Sequence, residues 1–185
     1  LPAIELIRNA SIRTKNDKHL TLYAQSLYTV KDYQSIIDNH DMFSASSTEE
    51  IKDIYGRSLI LTQNWNKANK FYSAWVESTP SNQLPWLRKI KILEKQNSIN
   101  EILETSKHAI SFSPSNHLFK LIRIHYLIEA NKFEEAQVSI TSLPTELKKE
   151  INVNTYQAEI EYFRGEYQQA LGTLENATTK KVKPR

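Results

Sequence analysis

The sequence predicts an all-α fold, an α-solenoid of about five helix–turn–helix units, and three observations carry that expectation. Its 185 residues hold only three glycines (Gly56, Gly165, Gly172) and six prolines, whereas a sandwich or barrel needs a turn residue roughly every 8–12 positions. A short motif recurs along the chain at a fixed interval. Within each copy, apolar residues fall at helical rather than alternating spacing.

The interval is clearest near the end. Asn131-Lys132-Phe133-Glu134-Glu135-Ala136 recurs 34 residues later as Gly165-Glu166-Tyr167-Gln168-Gln169-Ala170. The same interval upstream holds Asn97-Ser98-Ile99-Asn100-Glu101-Ile102 and then Gln63-Asn64-Trp65-Asn66-Lys67-Ala68. A fifth copy, Lys31-Asp32-Tyr33-Gln34-Ser35-Ile36, precedes Trp65 by 32 residues. Other columns agree: Leu59, Leu93 and Leu127 share one slot, Gly56, Ile90, Ile124 and Ala158 another, and Pro80 and Pro114 a third.

Taken in order, Pro2-Ala3-Ile4-Glu5-Leu6-Ile7-Arg8 opens a helix with proline in its first turn, where no amide hydrogen is needed. Residues 1–16 are expected to be the remnant of a preceding repeat, in a chain cut from a longer protein. The first unit spans 17–48 and turns at Lys31. The second, 49–82, is expected to start with a capping box, Ser47 with Glu50, before Ile51. It turns at Gln63. The third, 83–116, carries Trp86, Ile90 and Leu93 on its first helix, closes at Asn97, and sets Ile99, Ile102 and Leu103 on its second. Pro80-Ser81-Asn82 and Pro114-Ser115-Asn116 each break one helix and cap the next. The fourth unit, 117–150, turns at Asn131, and Leu143-Pro144-Thr145-Glu146-Leu147 reads as an early helix stop followed by a short turn. The fifth, 151–179, turns at Gly165. Asparagine and glycine suit these turns because they take the left-handed conformation that ends a helix. The small Ala68, Ala136 and Ala170 let each second helix approach its partner closely.

Charge and composition narrow the chemistry. The net charge of +3 comes from Lys180, Lys181, Lys183 and Arg185, and without that basic tail 20 basic side chains face 21 acidic ones. The tail, 180–185, is expected to be a solvated, disordered end. A nearly neutral body lacks the clustered cations that nucleic-acid binding needs, so no nucleic acid is expected as partner. The absence of cysteine excludes disulfides and thiolate sites. The longest apolar runs are too short to span a bilayer, and a soluble chain of the cytoplasm or the periplasm fits equally.

With their turn, aromatic and alanine slots, the 131–136 and 165–170 segments resemble the tetratricopeptide repeat (TPR) family over about residues 17–179. Departures are Ile99 and Ile102 in place of aromatic and alanine, Ile36 in place of alanine, and Lys148 where proline ends earlier units. The resemblance implies a right-handed superhelix whose concave face is lined by first helices and takes an extended peptide or a partner's helix.

On that frame the candidate groove residues are Gln25 and Tyr28, then Asp53 and Arg57, Leu87 and Lys91, Leu121, His125 and Ile128, and finally Glu159 and Tyr162. Arg57, Lys91 and His125 share one slot in successive units and are expected to form a basic ladder beside Leu87, Leu121 and Ile128, suited to a ligand with acidic and aliphatic side chains. The lysine–asparagine clamp of the family's chaperone-tail binders is missing: its slots hold Thr21 with Gln25, Asp53 with Arg57, and Leu87 with Lys91.

No enzyme is expected. His19, His40, His108, His117 and His125 show no zinc spacing, so no metal or cofactor is expected either. Glycine loops for phosphate and the Gly-x-Ser-x-Gly elbow are missing. Glu49-Glu50, Glu134-Glu135 and Glu159 with Glu161 read as solvated helix faces or helix N-terminal charges. Asn9-Ala10-Ser11 and Asn176-Ala177-Thr178 are glycan acceptors only in a secretory compartment. The expected function is a noncatalytic interaction scaffold whose groove binds another protein. The alternative is an assembly module that packs its open end repeats against another domain or a second copy, as a homodimer.

Overall fold

Each apolar stripe found in the sequence becomes one helix of a hairpin. The computed structural model describes residues 2–179 except 15, 45 and 47, and among them every regular element is helical. Ser47 and the tail 180–185 lie outside the described residues. Helix α1 (Pro2–Thr14) is followed by the hairpin of α2 (Asp17–Thr29) and α3 (Tyr33–Asp38), with a short α4 (His40–Ser44) after it. Then come α5 (Glu49–Leu61) with α6 (Trp65–Ser78), and α7 (Gln83–Lys95) with α8 (Ile99–Phe112). The last two hairpins are α9 (His117–Glu129) with α10 (Phe133–Thr141), and, after the single turn α11 (Thr145–Lys148), α12 (Ile151–Phe163) with α13 (Tyr167–Thr179).

All five turns close in the same way. Lys31, Gln63, Asn97, Asn131 and Gly165 hold φ of 61°, 59°, 53°, 57° and 81°, the left-handed conformation expected of the asparagines and the glycine. The amide after each reaches back five residues: Asp32 to Leu27, Asn64 to Leu59, Ser98 to Leu93, Lys132 to Leu127 and Glu166 to Glu161, at 2.8–3.0 Å. This is the Schellman closure, which satisfies carbonyls that a helix end leaves open. Starts are capped as their residues predict, with Asn82 Oδ1 accepting from Leu84 N at 2.9 Å and Asn116 Oδ1 from Leu118 N at 3.0 Å. The N-cap of α5 is Thr48, which makes no side-chain cap bond.

The five acceptors of those closures form one column, and four of them are core leucines. The fifth, Glu161, is just as buried at 3% exposure, so its expected place on a solvated face is wrong. Its carboxylate is held by donors in the same hairpin: Gln157 Nε2 at 2.8 Å and Gln169 Nε2 at 3.0 Å on Oε1, and Thr173 Oγ1 at 2.8 Å on Oε2. Three hydrogen bonds offset the desolvation that a buried carboxylate would otherwise suffer.

The chain divides into two compact units, Leu1–Ile92 and Leu93–Arg185, within α7. The core of the first gathers Ala24, Ile36, Phe43, Ile51, Leu59, Ala68 and Tyr72, each fully buried. That of the second gathers Ile124, Leu127, Ala136, Val153 and Ile160. Each large apolar side chain so buried contributes about 1.5–3 kcal/mol before conformational entropy is counted. One second helix departs from the expected form. After α3 the Asn39 side chain, like its backbone N–H, takes the Ser35 carbonyl (2.7 and 3.3 Å), and this competition ends the helix after six residues.

Candidate partner-binding faces

In the first unit the organising residue is Asp53, one turn into α5 and 13% exposed at its side chain. Arg88, on α7, meets it with a two-pronged fork: Nε to Oδ1 at 2.7 Å and Nη2 to Oδ2 at 2.8 Å. The planar guanidinium matches the carboxylate plane, so the pair fixes direction as well as distance. Those bonds outweigh burial and push the Arg88 pKa above its ordinary value. Behind the pair lies Tyr72, whose hydroxyl is 3.5 Å from Asp53 Oδ1. Burial, with the Asp53 charge second, pushes that phenol far up and keeps it neutral.

Arg57 extends this cluster toward solvent. Its Nη1 is 4.0 Å from Asp53 Oδ2, its side chain is 43% exposed, and its guanidinium lies 4.8 Å over the Tyr28 ring. Tyr28 in turn packs on Tyr33, ring centres 5.3 Å apart. Gln25 is exposed and donates to Glu50 Oε1 at 2.6 Å, which links α2 to α5. On α7, Leu87 is half-buried and Lys91 is exposed, with no ion pair to any described residue. Arg57 and Arg88 thus share the one carboxylate of Asp53. The structure therefore brings Tyr28, Asp53 and Arg57 together, and adds Arg88 and Tyr72, which the groove assignment missed. Arg88 had a signal: it lies 35 residues after Asp53, one repeat and one residue on.

In the second unit the candidates scatter. Ile128 is 4% exposed and part of the core. It was expected on the groove and is not available to a partner, because its side of α9 faces the hairpin interior. Leu121 is half-buried against the same core. His125 packs edge-on to Tyr126 at 4.9 Å and lies 6.0 Å from Tyr156. Burial, then the Glu94 carboxylate beside it, pushes the Tyr126 phenol up to about 12. Burial, then Glu159, raises Tyr156. Tyr162 is 58% exposed and sits edge-on to Phe163 and Tyr167, at 5.8 and 5.3 Å. Of the basic ladder, Arg57 and Lys91 belong to the first unit and His125 to the second.

Among the described residues no three His, Asp or Glu side chains are grouped to hold a metal ion, and no helix is long and apolar enough to cross a membrane. No protein-family model matches the chain, and no curated protein sequence matches it. Solved structures do match. YrrB, described as a TPR protein with an unusual peptide-binding site, aligns at TM-score 0.66 and 13% identity over 94% of this chain and 91% of that one. A MamA structure labelled MSR-1 C2 aligns at TM-score 0.62 and 15% identity, covering 94% and 96%. MamA from Desulfovibrio magneticus RS-1 aligns at 0.57 and 12%, covering 95% and 93%. The fold is a TPR-like helical repeat.

Proposed function

We propose that this chain is a noncatalytic protein-interaction scaffold that binds a peptide or helix of another protein along the exposed faces of its first helices. Preorganisation in the first unit carries the reading. The Asp53–Arg88 fork ties α5 to α7, and Arg57, held by Asp53 and stacked on Tyr28, is offered as a cation at reduced ordering cost, with Lys91 exposed one turn beyond Leu87 on α7. A segment with acidic and aliphatic side chains suits that face, and the fold shared with a protein described as having a peptide-binding site supports the same class.

The test is a panel of labelled peptides followed by anisotropy at two salt concentrations. Acidic–aliphatic peptides should bind more tightly than basic ones and weaken with salt. Lys91→Glu and Arg57→Glu should each weaken them by about two- to fivefold or more, the value of an exposed ion pair. Affinity unchanged in both variants would remove the basis of the assignment.

A second reading rests on a separate observation. In the second unit Tyr162, Tyr167 and Leu171 are 58%, 62% and 52% exposed, an apolar surface of the kind that mediates association. Under that reading the chain is an assembly module, and light scattering should show mass rising with concentration and falling back in Leu171→Glu.

A further inference from the structure

Helices α1 and α3 both pack on α2, and between them a cleft of about 520 Å³ opens in the first unit. Ile4 on α1 and Leu27 on α2 give it an apolar strip, while the larger part of its lining is polar and includes Glu5, Tyr23, Asp32 and Ser35. It is an open crevice at the surface rather than an enclosed cavity. It shares α2 with the face discussed above, but none of its lining residues belongs to that face.

Tyr23 is the unexplained group. It is 3% exposed, its ring packs on Phe43 with centres 5.6 Å apart, and yet its hydroxyl makes no hydrogen bond to any described residue while lining the cleft. The hydroxyl opens into the cleft, where a ligand's donor can take the place of water on it. Burial raises the phenol, and the charges that act on it are those of Arg8, Glu5 and Asp32.

Those charges select the ligand. Arg8 Nη1 is 3.2 Å from Glu5 Oε1, which leaves Asp32 without a cation. Its oxygens accept from Ser35 N at 3.1 Å and Ser35 Oγ at 2.7 Å, and each carboxylate oxygen still has a lone pair free. The three charges sum to one negative. Val30, 47% exposed, also lines the cleft and offers apolar contact to whatever flanks the ligand.

We propose that this cleft receives a lysine or arginine side chain of a partner polypeptide, its aliphatic stem along Ile4 and Leu27 and its cation among Glu5, Asp32 and the Tyr23 hydroxyl. The phenol oxygen accepts from the cation while its O–H donates to a carboxylate and stays protonated. A polypeptide source, rather than a free amine, is favoured by the exposed Val30, which an isolated diamine would leave uncovered.

The experiment is an NMR titration of the chain with N-acetyl-lysine methylamide, the arginine analogue, the norleucine analogue and 1,5-diaminopentane. The two cationic amides should shift Tyr23 and Val30 resonances saturably, with norleucine and the diamine binding more weakly. Glu5→Gln and Asp32→Asn should each reduce affinity about two- to fivefold, as loss of one exposed charge pair does. Asparagine caps a helix as well as aspartate, so α3 should survive the second change. Tyr23→Phe keeps the ring on Phe43 and should weaken binding alone if either charge variant loses helicity. Four results would each overturn the proposal: no saturable shift, norleucine binding as well as lysine, the diamine binding more tightly than the blocked lysine, or affinity unchanged in all three variants. None of them bears on Arg57 or Lys91, so the proposed function stands or falls separately.

Discussion

Tyr72 lies so close to the backbone of Gly56 that a methyl group there would overlap its hydroxyl and ring, with Cε2 only 2.9 Å away. Gly56 is helical, so its freedom of backbone rotation is not what matters. The missing side chain is the space in which a fully buried tyrosine reaches across from α6 toward Asp53. Gly56→Ala should therefore destabilise the first unit by about 1–3 kcal/mol, more than the helix propensity it gains. A urea melt with an unshifted or raised midpoint would contradict this packing.

The Asp53–Arg88 fork should behave as a coupled pair. Asp53→Ala leaves a guanidinium without its acceptor and should cost about 1.5–3 kcal/mol, the range for bonds to charged groups. A double-mutant cycle with Arg88→Ala should return a coupling energy of at least about 0.5 kcal/mol. Simple additivity would mean the fork contributes nothing.

Two of the left-handed turn positions carry side chains poorly suited to them, Lys31 and Gln63. Gln63→Gly should raise stability by about 0.5–1 kcal/mol, because glycine holds positive φ without strain. The same change at Asn131, a residue that tolerates this conformation, should gain less. Thermal melts of the two variants make the comparison, and equal shifts would count against backbone strain as the cause.

Restoring the leucine column at Glu161 should be harmful by itself. Glu161→Leu strands the donors of Gln157, Gln169 and Thr173 and should lose about 1–3 kcal/mol. Adding Gln169→Leu and Thr173→Val removes two of those stranded donors and should recover much of the loss. Chemical denaturation of the three chains decides it.

High pH should unfold the protein. Tyr23, Tyr28, Tyr55, Tyr72, Tyr126 and Tyr156 are all raised above the ordinary 10.0, chiefly by burial. A raised folded pKa contributes its full stability below the unfolded value and loses it as pH climbs beyond. Stability should thus be flat in these groups to about pH 9 and fall above pH 10. Phenolate absorbance should lag in the native state and appear together with loss of helicity; early titration of all nine tyrosines would refute the burial.

The 34-residue recurrence, the left-handed turns at Asn97, Asn131 and Gly165, the asparagine caps and the leucine column are local facts. Each depends on residues within one hairpin, and hairpin geometry follows from residue type and helical period, so the sequence alone determined them. What it could not decide lies between hairpins or between neighbouring helices. Solvent exposure at Glu161 depended on whether Gln169 and Thr173 on the next helix would point at it. Ile128 passed for a groove residue because a one-dimensional frame cannot tell which side of α9 faces the hairpin interior. Arg88 was overlooked and Arg57 taken for a free rung because their shared partner, Asp53, is chosen by the distance between packed helices. Burial and charge pairing are properties of the assembled chain, fixed only when several helices bring their side chains into one place, whereas period and turn chemistry are already present in a single strand of residues.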